Sequence, residues 1–310
     1  MGEPAAFRHE AALYAGVDGF LETTLPFIRD AVEVDEPVLV AVDADKIRRL
    51  RSELGGAADR VIFVDMREMG VNPARIIPEW REFAECHSVV GRGMRGIGEP
   101  IWSGRGADEL PECHRHEALL NLAFESTPSF WLLCPYDTEA LERGVVDEAH
   151  RTHPLVSKDG ARGSSDSYDE GLSRRPFEGA LPDPPVPPAK LCFDGRRLDG
   201  VRGFVWERAR ESGLPSRPAG DLVLAASELV SNSVRYGGGA GEVRFWLDDD
   251  TAQCEVSDAG RIDDPLAGRA HPRFDQLDGR GLWLVNQLCD LVQIRSSEAG
   301  TVVRLSMRIA

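Results

Sequence analysis

The first half of the chain sets short, wholly apolar runs between longer mixed stretches. Residues 11–14, 37–43, 61–65 and 130–134 are such runs, the pattern of strands buried on both faces. Residues 45–54 read as a helix stopped by Gly55-Gly56, because glycine accepts the left-handed conformation that ends helices. Residues 73–88 and 110–125 predict further helices. Strands alternating with helices predict a mainly parallel α/β sheet.

The second half has a different rhythm. Over 218–235, Leu222, Ala225, Ala226, Leu229, Val230 and Val234 recur at helical spacing and make one apolar face. Residues 242–247 and 252–258 alternate as strands do, and a short helix starts near Leu282. Val303, Leu305, Met307 and Ile309 share one face of a last strand at 301–309. Helices grouped beside an antiparallel sheet predict a two-layer α+β sandwich.

Composition divides these halves. From 157 to 190 a Gly/Ser stretch gives way to Leu181-Pro-Asp-Pro-Pro-Val-Pro-Pro, which predicts a flexible and then extended linker. The expected domains are therefore 8–156 and 191–310, two being what 310 residues suggest. A net charge of -16, carried mostly by residues 1–190, argues against direct nucleic-acid binding. No run approaches the ~20 apolar residues of a membrane helix, and the first ten residues lack a secretory pattern. A cytoplasmic location is expected. The six cysteines form no CxxC pair, so neither a disulfide framework nor a zinc ribbon is indicated.

Three elements of the second domain carry chemistry. Glu228 and Asn232 stand at i and i+4 and share a helix face; an amide oxygen can ligate Mg²⁺ beside phosphates, and a Glu one turn earlier can deprotonate a hydroxyl. Asp258 alternates onto the side of Cys254 and Val256, where a carboxylate needs a donor, and Gly260 would let a flat ring approach the backbone. Gly279-Arg280-Gly281-Leu282 leads into a helix whose first N–H groups could meet phosphate. Each alone has a bland reading, as a surface polar pair, an Asp-opened turn or a simple glycine turn. Gly300-Thr301 on the following strand completes the series.

In this order, residues 193–309 resemble the GHKL ATP-binding fold of histidine kinases and gyrase, in particular the anti-sigma-factor serine kinase branch of the RsbW and SpoIIAB type. Residues 228–236 are similar to that branch's N box, 258–260 to its first glycine box and 279–282 to its second. The resemblance implies ATP and Mg²⁺ as cofactors, with Asn232 on Mg²⁺ and phosphate and Glu228 as catalytic base. It implies that Asp258 reads adenine beside Gly260, and that Gly279, Arg280, Gly281 and Leu282 border the ATP lid. Thr301 would reach adenine through water. The implied partners are a sigma factor or a STAS-type anti-sigma antagonist, phosphorylated on serine; the oligomeric state stays open, a homodimer included. Two departures bear on rate more than binding: Ile262 stands where a second glycine is usual, and Tyr236 where the box ends in His. The alternatives are a non-catalytic, sigma-sequestering module and a histidine-kinase-type output protein.

Residues 8–155 resemble the MEDS sensory domain, a relative of the RecA/KaiC ATPases. The resemblance rests on His9 to Tyr14 with Gly19-Phe20, on Gly98-Glu-Pro-Ile-Trp102, and on residues 112–121. Residues 15–24 follow the first strand, but hold no phosphate-cradling lysine. A degenerate P-loop that senses a small molecule or protein is expected, rather than a second ATPase. Cys86-His87 and Cys113-His114-Arg115-His116 offer metal ligands if two elements bring them together, and His116-Glu117 a phosphoacceptor; ordinary helix polar residues are the plainer reading of both.

Overall fold

The computed structural model describes residues 6–88, 92–195, 198–272 and 279–309. The chain divides into two compact units between Pro176 and Phe177.

The first unit is built on strands β1 (Arg8–Tyr14), β2 (Val38–Val42), β3 (Val61–Asp65), β4 (Met94–Gly98), β5 (Phe130–Asp137), β6 (Leu155–Lys158) and β7 (Ala161–Ser164). They lie in the order β3-β2-β4-β5-β1-β6-β7. All neighbours pair in parallel except β6 and β7. The helices are α1 (Gly16–Glu33), α2 (Ala44–Leu54), α3 (Met66–Met69), α4 (Ile76–His87), α5 (Leu110–Ala123), α6 (Arg143–Thr152) and α7 (Gly171–Arg174). The Asp43 side chain caps α2 by accepting from the N–H groups of Asp45 and Lys46, and Gly55, at φ 54°, ends it.

Strand β4, Met-Arg-Gly-Ile-Gly, carries too little apolar pattern to be read from sequence. Ile97 packs with the core under α1 and α2. On the other face, a Cβ at Gly96 would come within 2.7 Å of the Trp80 ring of α4. The two glycines make room for one large aromatic, and helices cover both faces of the sheet.

The linker expected over 157–190 is corrected at both ends. Residues 155–158 pair with β1 and turn back through Asp159 (φ 50°) and Gly160 (φ 78°) into β7. Two positive-φ residues are what a two-residue hairpin turn needs. Phe177 belongs to the core of the second unit, where its carbonyl accepts from Ser296 N at 3.1 Å. The Pro182 carbonyl accepts from Arg304 Nη2 at 2.7 Å.

The second unit comprises β8 (Ala189–Asp194), α8 (Leu198–Glu211), α9 (Ser216–Tyr236), β9 (Ala240–Asp248), β10 (Thr251–Asp258), α10 (Arg280–Leu288), β11 (Leu291–Ser297) and β12 (Gly300–Arg308). Its sheet, in the order β11-β12-β10-β9-β8, is antiparallel throughout. Helices α8, α9 and α10 pack together against it. The apolar face expected on α9 is buried: Leu222, Ala225, Ala226, Leu229 and Val230 meet Val243, Cys254, Val256, Val303 and Leu305. On the reverse of the sheet, the buried Glu255 carboxylate is held by Arg304, through Nε at 3.0 Å and Nη2 at 2.8 Å, and by Arg244. No helix among the described residues is long and apolar enough to cross a membrane.

Candidate functional site

Glu228 and Asn232 lie one turn apart on α9, half-buried at the margin of its apolar face. Helix α10 starts directly against them. Its cap, Gly279, sits at φ 85° and places no side chain over the first turn, so the leading N–H groups are not met by a cap. A Cβ on Gly281 would stand 3.1 Å from Asn232 Nδ2 and 3.2 Å from Glu228 Oε2. Glycine is what permits this approach.

Asp258 ends β10 opposite Thr301 of β12. Its Oδ2 accepts from Ser233 Oγ at 2.5 Å and its Oδ1 from Gly260 N at 2.7 Å. A carboxylate offers about four lone-pair positions, so two remain for another donor. A Cβ on Gly260 would come within 2.8 Å of Gly237 Cα, which makes that position another close backbone approach. A relay fixes the following loop: Ile262 N donates to Ser296 Oγ at 2.8 Å, Ser296 lies 2.8 Å from Thr301 Oγ1, and Thr301 donates to the Gly260 carbonyl at 2.9 Å.

These groups surround a cavity of about 420 Å³, lined among others by Asn232, Ser233, Asp258, Gly260, Gly281 and Thr301. That size suits a small organic ligand. Gly279 and Leu282 also line it, whereas Glu228 and the exposed Arg280 do not. Residues 273–278, part of the expected lid, lie outside the described residues. Ser233 and Ser296 were not singled out from sequence. Ser233 follows Leu229 by one turn on the buried face, and a hydroxyl there needs a partner, a signal that was available. Ser296 had none, since its role depends on strand register. Cys254 is no reactive thiol: burial pushes it to about 12.

Residues 8–154 match the family model of the MEthanogen/methylotroph, DcmR Sensory domain (MEDS). Residues 193–307 match that of the histidine kinase-like ATPase domain. The chain carries a MEDS domain followed by a histidine kinase-like ATPase domain. Among solved structures, the chain is similar to the RsbU and RsbW domains of Rv1364c from Mycobacterium tuberculosis, at 24% identity and a TM-score of 0.31, covering 40% of this chain and 33% of that one. It is also similar to the histidine kinase AdeS of Acinetobacter baumannii, at 12% identity and a TM-score of 0.24, covering 40% of this chain and 69% of that one. The chain thus spans about a third of the length of the first. No curated protein matches it.

In the MEDS domain, the start of α1 is met by acid. Gly16 N donates to Asp137 Oδ1 at 3.2 Å, and a Cβ on Gly16 would stand 3.1 Å from Glu139 Oε2. Nearby, Lys46 Nζ of α2 lies 2.6 Å from both Glu99 oxygens and 2.9 Å from the Tyr14 hydroxyl, which itself donates to Glu99 Oε1 at 2.7 Å. Burial raises the Glu99 carboxyl above its ordinary range even with Lys46 opposing. The cysteine–histidine pairs do not assemble. Cys86 is exposed, Cys113 Sγ is buried 3.1 Å from Arg105 Nε, and His116 is buried, which leaves it no access as a phosphoacceptor.

Proposed function

We propose that this chain is a nucleotide-dependent regulator whose ATPase domain binds Mg-ATP and phosphorylates a serine on a STAS-type anti-sigma antagonist, under control of its MEDS domain. The observation that carries this reading is the close approach of Gly281 to Glu228 and Asn232, which leaves little room for a Cβ, at one side of a cavity that Asp258 lines at another. The residues fit the nucleotide. Asp258 keeps lone pairs for an exocyclic amine, and the uncapped start of α10 offers N–H groups to phosphate. Bound Mg²⁺ would neutralise phosphate charge, with Asn232 as its protein ligand. Glu228 would take the proton of the attacking serine hydroxyl. Thr301 spends its hydrogen on the Gly260 carbonyl and keeps a lone pair for a water beside the ring.

We read the first sheet as RecA/KaiC-like with its phosphate loop lost. In support, α1 follows β1 near the middle of the sheet, and Asp137 and Glu139 would repel a phosphate there. A protein located in the cytoplasm, acting on a sigma-factor circuit, fits both domains.

The test is calorimetry of the full chain with Mg-ATP and Mg-ADP, followed by phosphotransfer to candidate antagonists. Micromolar binding, about 8 kcal/mol, that falls at least tenfold in Asp258→Asn is expected, since an amide accepts an amine with less charge assistance. Unchanged affinity in that variant would remove the adenine role. Binding without transfer to any antagonist would favour a sequestering module.

A further inference from the structure

We propose that His9, Glu117, Cys134 and His153 of the MEDS domain form a closed, tetrahedral site for one divalent cation of the zinc class. The four come from β1, α5, β5 and the residue that ends α6. Their ligand atoms all lie within 4.8 Å of one another, and all four side chains are buried.

Four of the six separations are close to those of a coordination shell, and the other two stay within 4.8 Å. Glu117 Oε2 lies 3.1 Å from His9 Nε2, 3.3 Å from His153 Nε2 and 3.4 Å from Cys134 Sγ, and Cys134 Sγ lies 3.4 Å from His9 Nε2. Ligands at zinc's bond lengths in a tetrahedron stand about 3.3–3.8 Å apart.

Hydrogen-bond bookkeeping points the same way. Asn121 Nδ2 donates to the Thr152 carbonyl at 2.8 Å, so its Oδ1 faces His9 Nδ1 at 3.1 Å. His153 Nδ1 faces the Ala149 carbonyl at 2.9 Å. Both Nδ1 atoms therefore donate, and each neutral ring turns its Nε2 lone pair inward. The centre then holds two nitrogen lone pairs and a carboxylate, with one thiol hydrogen among them and the buried Tyr136 hydroxyl beside the carboxylate. His153 Nε2 has no hydrogen-bond partner, and neither has Glu117 Oε1. Acceptors do not converge in a buried space without a cation or an added proton.

A zinc-class ion fits the charge. Binding releases one proton, from Cys134, and the thiolate and the Glu117 carboxylate then balance a 2+ ion. A buried neutral cluster avoids the penalty of an uncompensated charge. The carbonyls behind both Nδ1 atoms are the outer partners that zinc-bound histidines use. Four protein ligands leave no open position, so the ion would be structural, fastening β1 and β5 to α5 and the end of α6.

The test uses the full chain expressed with zinc supplied, passed over a chelating resin and assayed for metal by mass spectrometry. About one zinc per chain is expected, lost in Cys134→Ser and His153→Ala. Because the buried ion must enter during folding, the wild type and Cys134→Ser are also refolded from denaturant with Co²⁺ alone. A tetrahedral cobalt spectrum with a thiolate charge-transfer band should appear in the wild type, and that band should be missing from Cys134→Ser. Substoichiometric zinc together with no tetrahedral cobalt spectrum would overturn the site and leave a protonated His–Glu–His network. So would a thiolate band that persists in Cys134→Ser.

Discussion

Ser233 Oγ donates to Asp258 Oδ2 at 2.5 Å, joining the buried face of α9 to the end of β10. With Gly260 N on the other oxygen, this bond fixes the plane of the carboxylate and hence which lone pairs face the cavity. Ser233→Ala should lower nucleotide affinity about tenfold, the effect of losing one hydrogen bond to a charged group. Calorimetry that gives wild-type affinity in this variant would mean that Asp258 is oriented without it.

Gly281→Ala separates site geometry from helix stability. Alanine gains about 1 kcal/mol of helix propensity over glycine, but its Cβ would press on Asn232 and Glu228 at 3.1–3.2 Å. The expected outcome is an unchanged or higher melting temperature with weaker Mg-nucleotide binding. Calorimetric scanning and titration of the same sample check both halves.

Glu228→Ala should leave nucleotide bound and lower phosphotransfer by roughly 10²–10⁴-fold, the range for a lost general base. Glu228 does not line the cavity, which is why binding should persist. A parallel loss of affinity would assign the residue to binding.

Lys46→Met tests the buried Glu99 pair through pH. The folded state already holds Glu99 above its ordinary pKa, so ionised Glu99 costs stability, and losing Lys46 adds to that cost. The variant should be less stable by about 3 kcal/mol at neutral pH. The deficit should narrow as pH falls from neutral through the raised range in which folded Glu99 takes up its proton, because the unfolded chains of the two proteins titrate alike and cancel. Urea denaturation at several pH values gives the difference directly, and a deficit that is flat with pH would exclude Glu99 as its source.

Cutting the chain between Pro176 and Phe177 should give two soluble halves. A cut at 156 divides β6 and strips β7 from it, leaving the edge of β1 half-paired, a setting for aggregation. Size-exclusion profiles of the two pairs of fragments distinguish the cases.

The sequence by itself determined the elements whose burial is one-sided or complete. The apolar face of α9, the alternation of β10 and β12, and the runs of β2, β3 and β5 all follow from periodicity, which is local. It also marked Asn232, Asp258 and Gly281 as candidates, from the residue types that stand beside them in the chain. The strand β4 stayed hidden because Gly96 and Gly98 are shaped by Trp80, which arrives from another element. The β6–β7 hairpin was legible in Asp159-Gly160, yet the polar composition around it read as linker. Only the tertiary structure decided which side chains meet. Ser233 reaches Asp258, Ser296 reaches Thr301, and His9, Glu117, Cys134 and His153 converge, while the adjacent cysteine–histidine pairs do not. Closeness along the chain fixes direction only within one helix or strand. Contacts across elements depend on register and packing, and these are set by the core of each unit as a whole.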